Sequence, residues 1–186
     1  LLRWELPKLL GRKPEFQVLH IVELVDKLLE EGKLKLEPTD DRITWHDPCY
    51  LARRGGVTKE PYRVLKLASR RFKPLRHHGV ESICCGGGGG IGYISMDTIQ
   101  QIAQMLGISP DDLISDEKEK KFIEETEKAL LKAVKKKIDD IRASGAKTVL
   151  VACPTCMESI AKGAKLYNVE VDVAHIAEYL GKLTRL

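Results

Sequence analysis

Apolar positions along this chain recur with two different spacings, and the changes between them predict its elements. Four short runs rich in β-branched and apolar residues, at 42–45, 80–83, 147–152 and 169–173, have the length of buried strands. Between them the spacing turns helical. Over 18–31, Ile21, Leu24, Val25, Leu28 and Leu29 fall on one face, and Gly32 follows as a stop. A second helix is predicted over 62–71, with Pro61 in its first turn, and a third over 97–106, ended by Gly107. Ser109-Pro110-Asp111-Asp112 reads as a fresh cap and start. A long charged helix over 116–142 carries a stripe of Phe122, Ile123, Leu130, Val134, Ile138 and Ile141, and Ser144-Gly145 ends it. Helices over 155–167 and 175–183 complete the set. Strands alternating with helices predict an α/β fold with a parallel sheet covered by flanking helices.

One pattern occurs twice. Residues 18–25 and 173–180 share an apolar frame around His20-x-x-Glu23 and His175-x-x-Glu178. Cys153 and Cys156 lie 22 and 19 residues before His175, and the same distances back from His20 reach the first residue or pass it. This predicts a duplicated protein. Residues 1–39 would be the tail of a preceding repeat plus a linker, and 40–186 the second repeat. The chain opens on Leu1-Leu2 and not on Met, which fits a fragment or a processed subunit.

Bulk properties narrow the function classes. Hydrophobic residues make up 43% and charged residues 31% of the 186, as in a soluble globular domain. No apolar run approaches the ~20 residues of a membrane span, and no secretory signal is visible, so a cytoplasmic protein is expected. The net charge of +4 comes from interspersed Lys, Arg, Asp and Glu, not from a basic stripe with aromatics, and does not point to nucleic acid.

The five cysteines change the picture most. Their number is odd and two are adjacent, which fits metal ligation in a reducing compartment better than a disulfide framework. Three segments carry them: His46-Asp47-Pro48-Cys49, Cys84-Cys85 and Cys153-Pro154-Thr155-Cys156, each after a predicted strand. In an open parallel sheet, ligands bind at the carboxyl ends of the strands. The fold would therefore gather cysteines separated by 34 and 67 residues. A C-x-x-C lets two thiolates reach one metal, the second at a helix start where the dipole favours negative charge. Gly86, Gly87 and Gly88, within a run of five glycines, let the backbone approach an anionic cofactor and aim N–H groups at its sulfurs. A flexible linker or a phosphate cradle are the other readings of that run, and no Gly-Lys-Ser/Thr ending supports a P-loop. Arg53 and Arg54 are placed to offset cofactor charge or hold an anionic substrate, or else are solvated surface arginines. His46 is expected beside the metal, donating a hydrogen bond or a proton instead of ligating. His20 and His175 are expected to start helices, and His77 and His78 to lie in a loop. Zinc or an ordinary cubane cluster needs four ligands, so five cysteines exceed both.

The order Cys49, Cys84-Cys85-Gly86-Gly87, Cys153-Pro154-Thr155-Cys156 resembles the cysteine-rich CCG domain found in the B- and D-type polypeptides of heterodisulfide reductase and in related iron–sulfur oxidoreductase subunits. His46-Asp47-Pro48-Cys49 with Arg53 is similar to that family's segment around its first ligand. The Arg53-Arg54-Gly55-Gly56 run and Glu60-Pro61 are similar to heterodisulfide-reductase-like subunits of sulfur metabolism. The resemblance covers roughly 40–186 and implies a Rossmann-like domain. It implies that Cys49, Cys84, Cys85, Cys153 and Cys156 hold a [4Fe–4S] cluster, of the non-cubane form that cleaves a disulfide, with zinc as the alternative. The implied function is an iron–sulfur redox subunit acting with other iron–sulfur or flavin subunits, cytoplasmic or peripheral to a membrane complex. It would pass electrons to an anionic disulfide or thiol substrate, with His46, Arg53 and Arg54 as catalytic groups. The competing readings are a structural zinc or cubane module that docks partner subunits, and a metal-free thiol exchanger using Cys153 and Cys156. The chain departs from the family in its spacing of 67 between Cys85 and Cys153, which marks a helical insertion over about 91–143. That insertion is expected to be either a docking element or a solvated amphipathic excursion.

Overall fold

The computed structural model describes residues 2–89, 95–114 and 116–185. Helices α1 (Glu5–Leu10) and α2 (Ile21–Glu30) precede a short strand β1 (Lys35–Leu36). Strand β2 (Ile43–Trp45) leads through a π-helical turn, Tyr50–Arg54, to α3 (Glu60–Ala68). Two further helices, α4 (Met96–Leu106) and the long α5 (Glu117–Ser144), precede β3 (Thr148–Val151). The chain closes with α6 (Pro154–Leu166), β4 (Asp172–His175), α7 (Ile176–Gly181) and β5 (Thr184–Arg185).

Strands β2, β3 and β4 form a parallel sheet in that order, as predicted. β1 and β5 pair antiparallel as a separate ribbon. The apolar runs are buried because helices cover both faces of the parallel sheet. The period-two alternation of β3 shows how: Leu150 faces a cluster with Ile43, Trp45, Val64, Leu65, Ile176 and Leu180, contributed by β2, α3 and α7. Its neighbours Val149 and Val151 face the opposite cluster, with Val134, Ile138 and Ile141 of α5 and Ile160 and Ala164 of α6.

Helix starts follow their caps. His20 caps α2 with Nδ1 accepting the Val22 N–H at 3.2 Å, and His175 caps α7 with Nδ1 accepting the Ala177 N–H at 3.3 Å. The repeated sequence pattern is thus a repeated cap. Asp116 accepts the Lys118 and Glu119 N–H groups at the head of α5. Gly107 and Gly145 end their helices in the left-handed conformation.

Three expectations need correction. The 80–83 run is not a strand: a 3-10 turn, Gly79–Glu81, occupies it and Val80 is exposed. Its carbonyls at Val80 and Ser82 accept from the Arg53 guanidinium in place of a ladder. The 169–173 run enters the sheet only at Asp172, because the Val169 N–H is used to close α6 on the Ala164 carbonyl. The 116–142 helix is not a solvated excursion. Phe122 is exposed, but Val134, Lys137, Ile138, Asp140 and Ile141 are buried, so the C-terminal half of α5 is core. Of the predicted insertion, 91–94 and 115 lie outside the described residues.

Candidate metal centre

The first cysteine segment leaves the carboxyl end of β2. The His46 N–H continues the ladder to the Leu150 carbonyl at 3.0 Å, which carries His46 and Asp47 into the interior. Asp47 then fixes three elements at once. Its carboxylate accepts the Trp45 indole N–H at 2.9 Å, the Tyr62 hydroxyl at 2.5 Å and the Gly79 N–H at 2.8 Å. Burial, then the bond to Asp47, pushes the Tyr62 hydroxyl far above its ordinary pKa, so it stays a donor. Cys49 heads the π-helical turn that presents Arg53.

The second segment arrives on a loop, not from a strand. Arg53 donates Nε to the Val80 carbonyl at 2.8 Å and Nη2 to the Ser82 carbonyl, which anchors the approach to Cys84. Ser159 of α6 donates its hydroxyl to the Cys85 carbonyl at 2.6 Å. Beyond the pair, the Gly86 N–H points at Cys84 Sγ and the Gly87 N–H at Cys85 Sγ, each at 3.4 Å. Gly86 has φ +81, and a Cβ there would lie 3.0 Å from the Val134 nitrogen and 3.1 Å from the Leu130 carbonyl oxygen. Only glycine lets this loop bend against the backbone of α5.

The third segment leaves the carboxyl end of β3. Cys153 is the N-cap of α6, Pro154 its first residue, and Cys156 lies buried in the first turn. The three segments meet around a cavity of about 370 Å³ lined by all five cysteines, with Gly88, Gly89, Tyr50 and His20 completing part of its wall. Cys85 and Cys156 are buried, whereas Cys84 is exposed.

The thiols of this site are crowded against one another. The Cys156 thiol beside it pushes Cys85 up to about 12, and Cys85 in turn raises Cys84 well above an ordinary thiol. Packed thiols resist losing a second proton to make neighbouring thiolates, and a bound cation reverses that preference. Behind them, His46 is 1% exposed and neither ring nitrogen has a hydrogen-bond partner among the described residues. Its ligand atom and those of Cys85 and Cys156 lie within 4.8 Å of one another. Orphaned buried nitrogens are rare and call for an unseen partner. Crowded thiols, glycine N–H groups aimed at sulfur and an unpartnered imidazole together fit an iron–sulfur or metal centre.

Burial, followed by the charges of Lys137 and Arg53, holds His46 far below the ordinary histidine range. Burial also lowers His20. The unfolded chain takes up protons as pH falls through about 6.5, while the native imidazoles take them up only at lower pH. Their contribution to stability is full above that value and is lost as pH falls from it toward the native pKa. We expect the urea midpoint of the metal-free chain to be lower at about pH 5.5 than at about pH 7.5. His46→Gln should narrow the gap, and equal midpoints in the parent chain would show that His46 is not held neutral.

Among the residues singled out in the sequence, Gly88 lines the cavity. Arg54 stacks on Tyr50 with its guanidinium 4.6 Å from the ring centroid. Arg53 is bonded to carbonyls of the Cys84 approach. His77 reaches the Asp140 carboxylate at 3.4 Å, and His78 packs on Tyr62. Two residues escape a sequence reading. Asp47 was hidden as a neighbour of His46. Lys137 was hidden in a lysine run, although it keeps register with Val134, Ile138 and Ile141, and a charged residue within an apolar stripe is the available signal.

The cysteine-rich domain family named CCG matches residues 43–107 and 120–161, more than half of the chain. The chain belongs to the CCG cysteine-rich domain family. The matched residues include Cys49, Cys84, Cys85, Cys153 and Cys156, and also most of α5. A "Probable membrane-anchored ferredoxin" of Chromohalobacter salexigens is 29% identical over 78% of this chain and 17% of its own length. The EtfAB:quinone oxidoreductase of Syntrophomonas wolfei is 28% identical over 97% of the chain and 22% of its own. The D-type polypeptide of the dihydromethanophenazine:CoB–CoM heterodisulfide reductase of Methanosarcina acetivorans is 27% identical over 91% of the chain and 34% of its own. The chain thus spans about a third or less of the length of these relatives. No solved structure matches it. Among the described residues, no helix is long and apolar enough to cross a membrane.

Proposed function

We propose that this CCG domain is the iron–sulfur redox module of a heterodisulfide-reductase-like oxidoreductase, with Cys49, Cys84, Cys85, Cys153 and Cys156 holding one [4Fe–4S] cluster. The observation that carries this reading is the convergence of all five cysteines on one cavity beside an unpartnered buried histidine. Relatives named as heterodisulfide reductase and quinone oxidoreductase proteins support a redox role. When bound, the cluster supplies one-electron transfer at a potential set by its ligands and the hydrogen bonds to its sulfurs. The protein's own part is to orient and protect. Gly86 and Gly87 aim N–H groups at the ligand sulfurs, and Gly88 keeps the wall open. His46 presents a ring nitrogen from the buried side. Arg53 holds the Cys84 loop in place. Arg54, stacked on a ring that borders the cavity, steers an anionic disulfide or thiol toward it. Other iron–sulfur or flavin subunits would supply the electrons, in a complex that is cytoplasmic or peripheral to a membrane.

A structural zinc site is the second reading. Structural zinc sites are closed tetrahedra, which an open cavity with an exposed Cys84 does not resemble. Metal analysis of anaerobically purified protein decides between them. We expect about four irons and four acid-labile sulfides per chain, with an electron paramagnetic signal in the oxidised sample. Zinc alone, without iron, would replace the redox reading by a structural one.

A further inference from the structure

Helix α5 carries three consecutive lysines with different fates. Lys135 is exposed and pairs with Asp139 at 2.7 Å, and Lys136 is exposed. Lys137 is completely buried. An ammonium is among the costliest groups to remove from water, and a single long ion pair does not offset that. Yet among the described residues Lys137 Nζ meets only the Ser82 hydroxyl at 3.3 Å and the Asp140 carboxylate at 3.9 Å. Asp140 is shared, since it also accepts the His77 N–H at 3.4 Å.

The missing compensation lies on the metal side. Burial lowers the Lys137 pKa, and the groups that oppose this are Asp140, Asp47, Cys85 and Cys156. Geometry places it there: Ser82, which the ammonium touches, lines a small cavity with His46, Cys84, Cys85 and Cys156, and two of those sulfurs sit with His46 in the tight ligand group. A cluster held by these thiolates would carry net negative charge, and the buried Cys85 and Cys156 are shielded from solvent ions. We propose that the Lys137 ammonium is the built-in counter-charge of the cysteine centre, holding its reduction potential up, with Asp140 moderating that effect. This rests on the iron–sulfur reading of the site. Electrostatics gives the direction: a nearby cation favours the more negative, reduced state, and a partly buried charge pair is screened little.

The test is the midpoint potential of the anaerobically purified chain, with iron content measured in parallel. In Lys137→Met, the oxidised-to-reduced ratio at the wild-type midpoint should rise about tenfold or more, a shift of ~59 mV or more to negative values for a one-electron couple. Asp140→Asn removes the partner carboxylate, while Asp47, Cys85 and Cys156 still favour the ammonium, so its potential should move the opposite way. A purely structural Lys137 would not produce shifts of opposite sign. A Lys137→Met ratio within about twofold of wild type overturns the proposal. If Lys137→Met folds without iron, Asp140→Asn decides: a raised potential supports the proposal and an unchanged one overturns it. If the wild-type chain holds zinc instead of iron, the redox reading fails by itself and the counter-charge is read from chelator competition. Zinc affinity about tenfold weaker in Lys137→Met then supports it, and equal affinity overturns it. A chain that binds neither metal overturns both.

Discussion

Cys85→Ser should purify nearly devoid of iron while keeping the helical signature of the parent chain. Cys85 is the hinge of the site. Its sulfur lies within 4.8 Å of the ligand atoms of Cys156 and His46, its own carbonyl is held by Ser159, and the Gly87 N–H is aimed at its sulfur. Serine preserves the shape and the local hydrogen bonds but offers a hard, neutral hydroxyl in place of a soft thiolate. Loss of an outer-shell partner alone costs a metal site about ten- to hundredfold in affinity, and loss of a central ligand should cost at least about a hundredfold. The fold should tolerate it, because a near-isosteric buried change costs about 1–2 kcal/mol. Iron analysis with circular dichroism checks both halves. Full iron content in this variant would remove Cys85 from the ligand set and with it the five-cysteine reading.

The second large effect is expected at a residue that ligates nothing. Asp47→Ala should destabilise the chain by about 3–5 kcal/mol, because it takes the charged acceptor from the Trp45 indole and the Tyr62 hydroxyl and leaves the Gly79 N–H only its 3.2 Å bond to Tyr62. The Trp45 indole, the Tyr62 hydroxyl and the Gly79 N–H have all turned inward toward this carboxylate. They come from β2, α3 and the turn before Cys84, so the loss also loosens the approach to the second cysteine segment. A loss of that size is a third or more of the stability of many domains. Tyr62→Phe removes one of the three bonds and should cost about 1 kcal/mol. Urea denaturation with an unchanged slope measures both. An Asp47→Ala cost under about 1 kcal/mol would mean that water replaces the carboxylate and that the junction is not dry.

Much of the framework was legible because it is written in local rules. The short β-branched and apolar runs at 42–45 and 147–152 became β2 and β3. Their carboxyl ends delivered Cys49 and Cys153 to one edge because parallel strands must end on the same side. Glycine stops, the Asp116 cap and the twin histidine caps also follow from near neighbours. Misreadings arose where a segment's hydrogen bonds go to distant partners. The 80–83 run has strand composition, yet Arg53 takes its carbonyls across 27 and 29 residues. Strand propensity could not anticipate a guanidinium that outcompetes a ladder.

By itself, then, the sequence determined the α/β layering, the approximate positions of α2 to α7 and the nomination of five cysteines, because each depends on spacing along the chain. Tertiary structure alone decided what surrounds them. It turned the C-terminal half of α5 inward onto α6 and buried Lys137 beside Ser82, which borders the cysteines. It also left His46 without a partner among the described residues and drew Asp47 into three bonds. Residue type does not distinguish Lys137 from Lys135 or Lys136, and its register with Val134 and Ile141 only hints at burial. The difference is which face of α5 another helix covers, and burial turns an ordinary surface charge into a strong one because water no longer screens it.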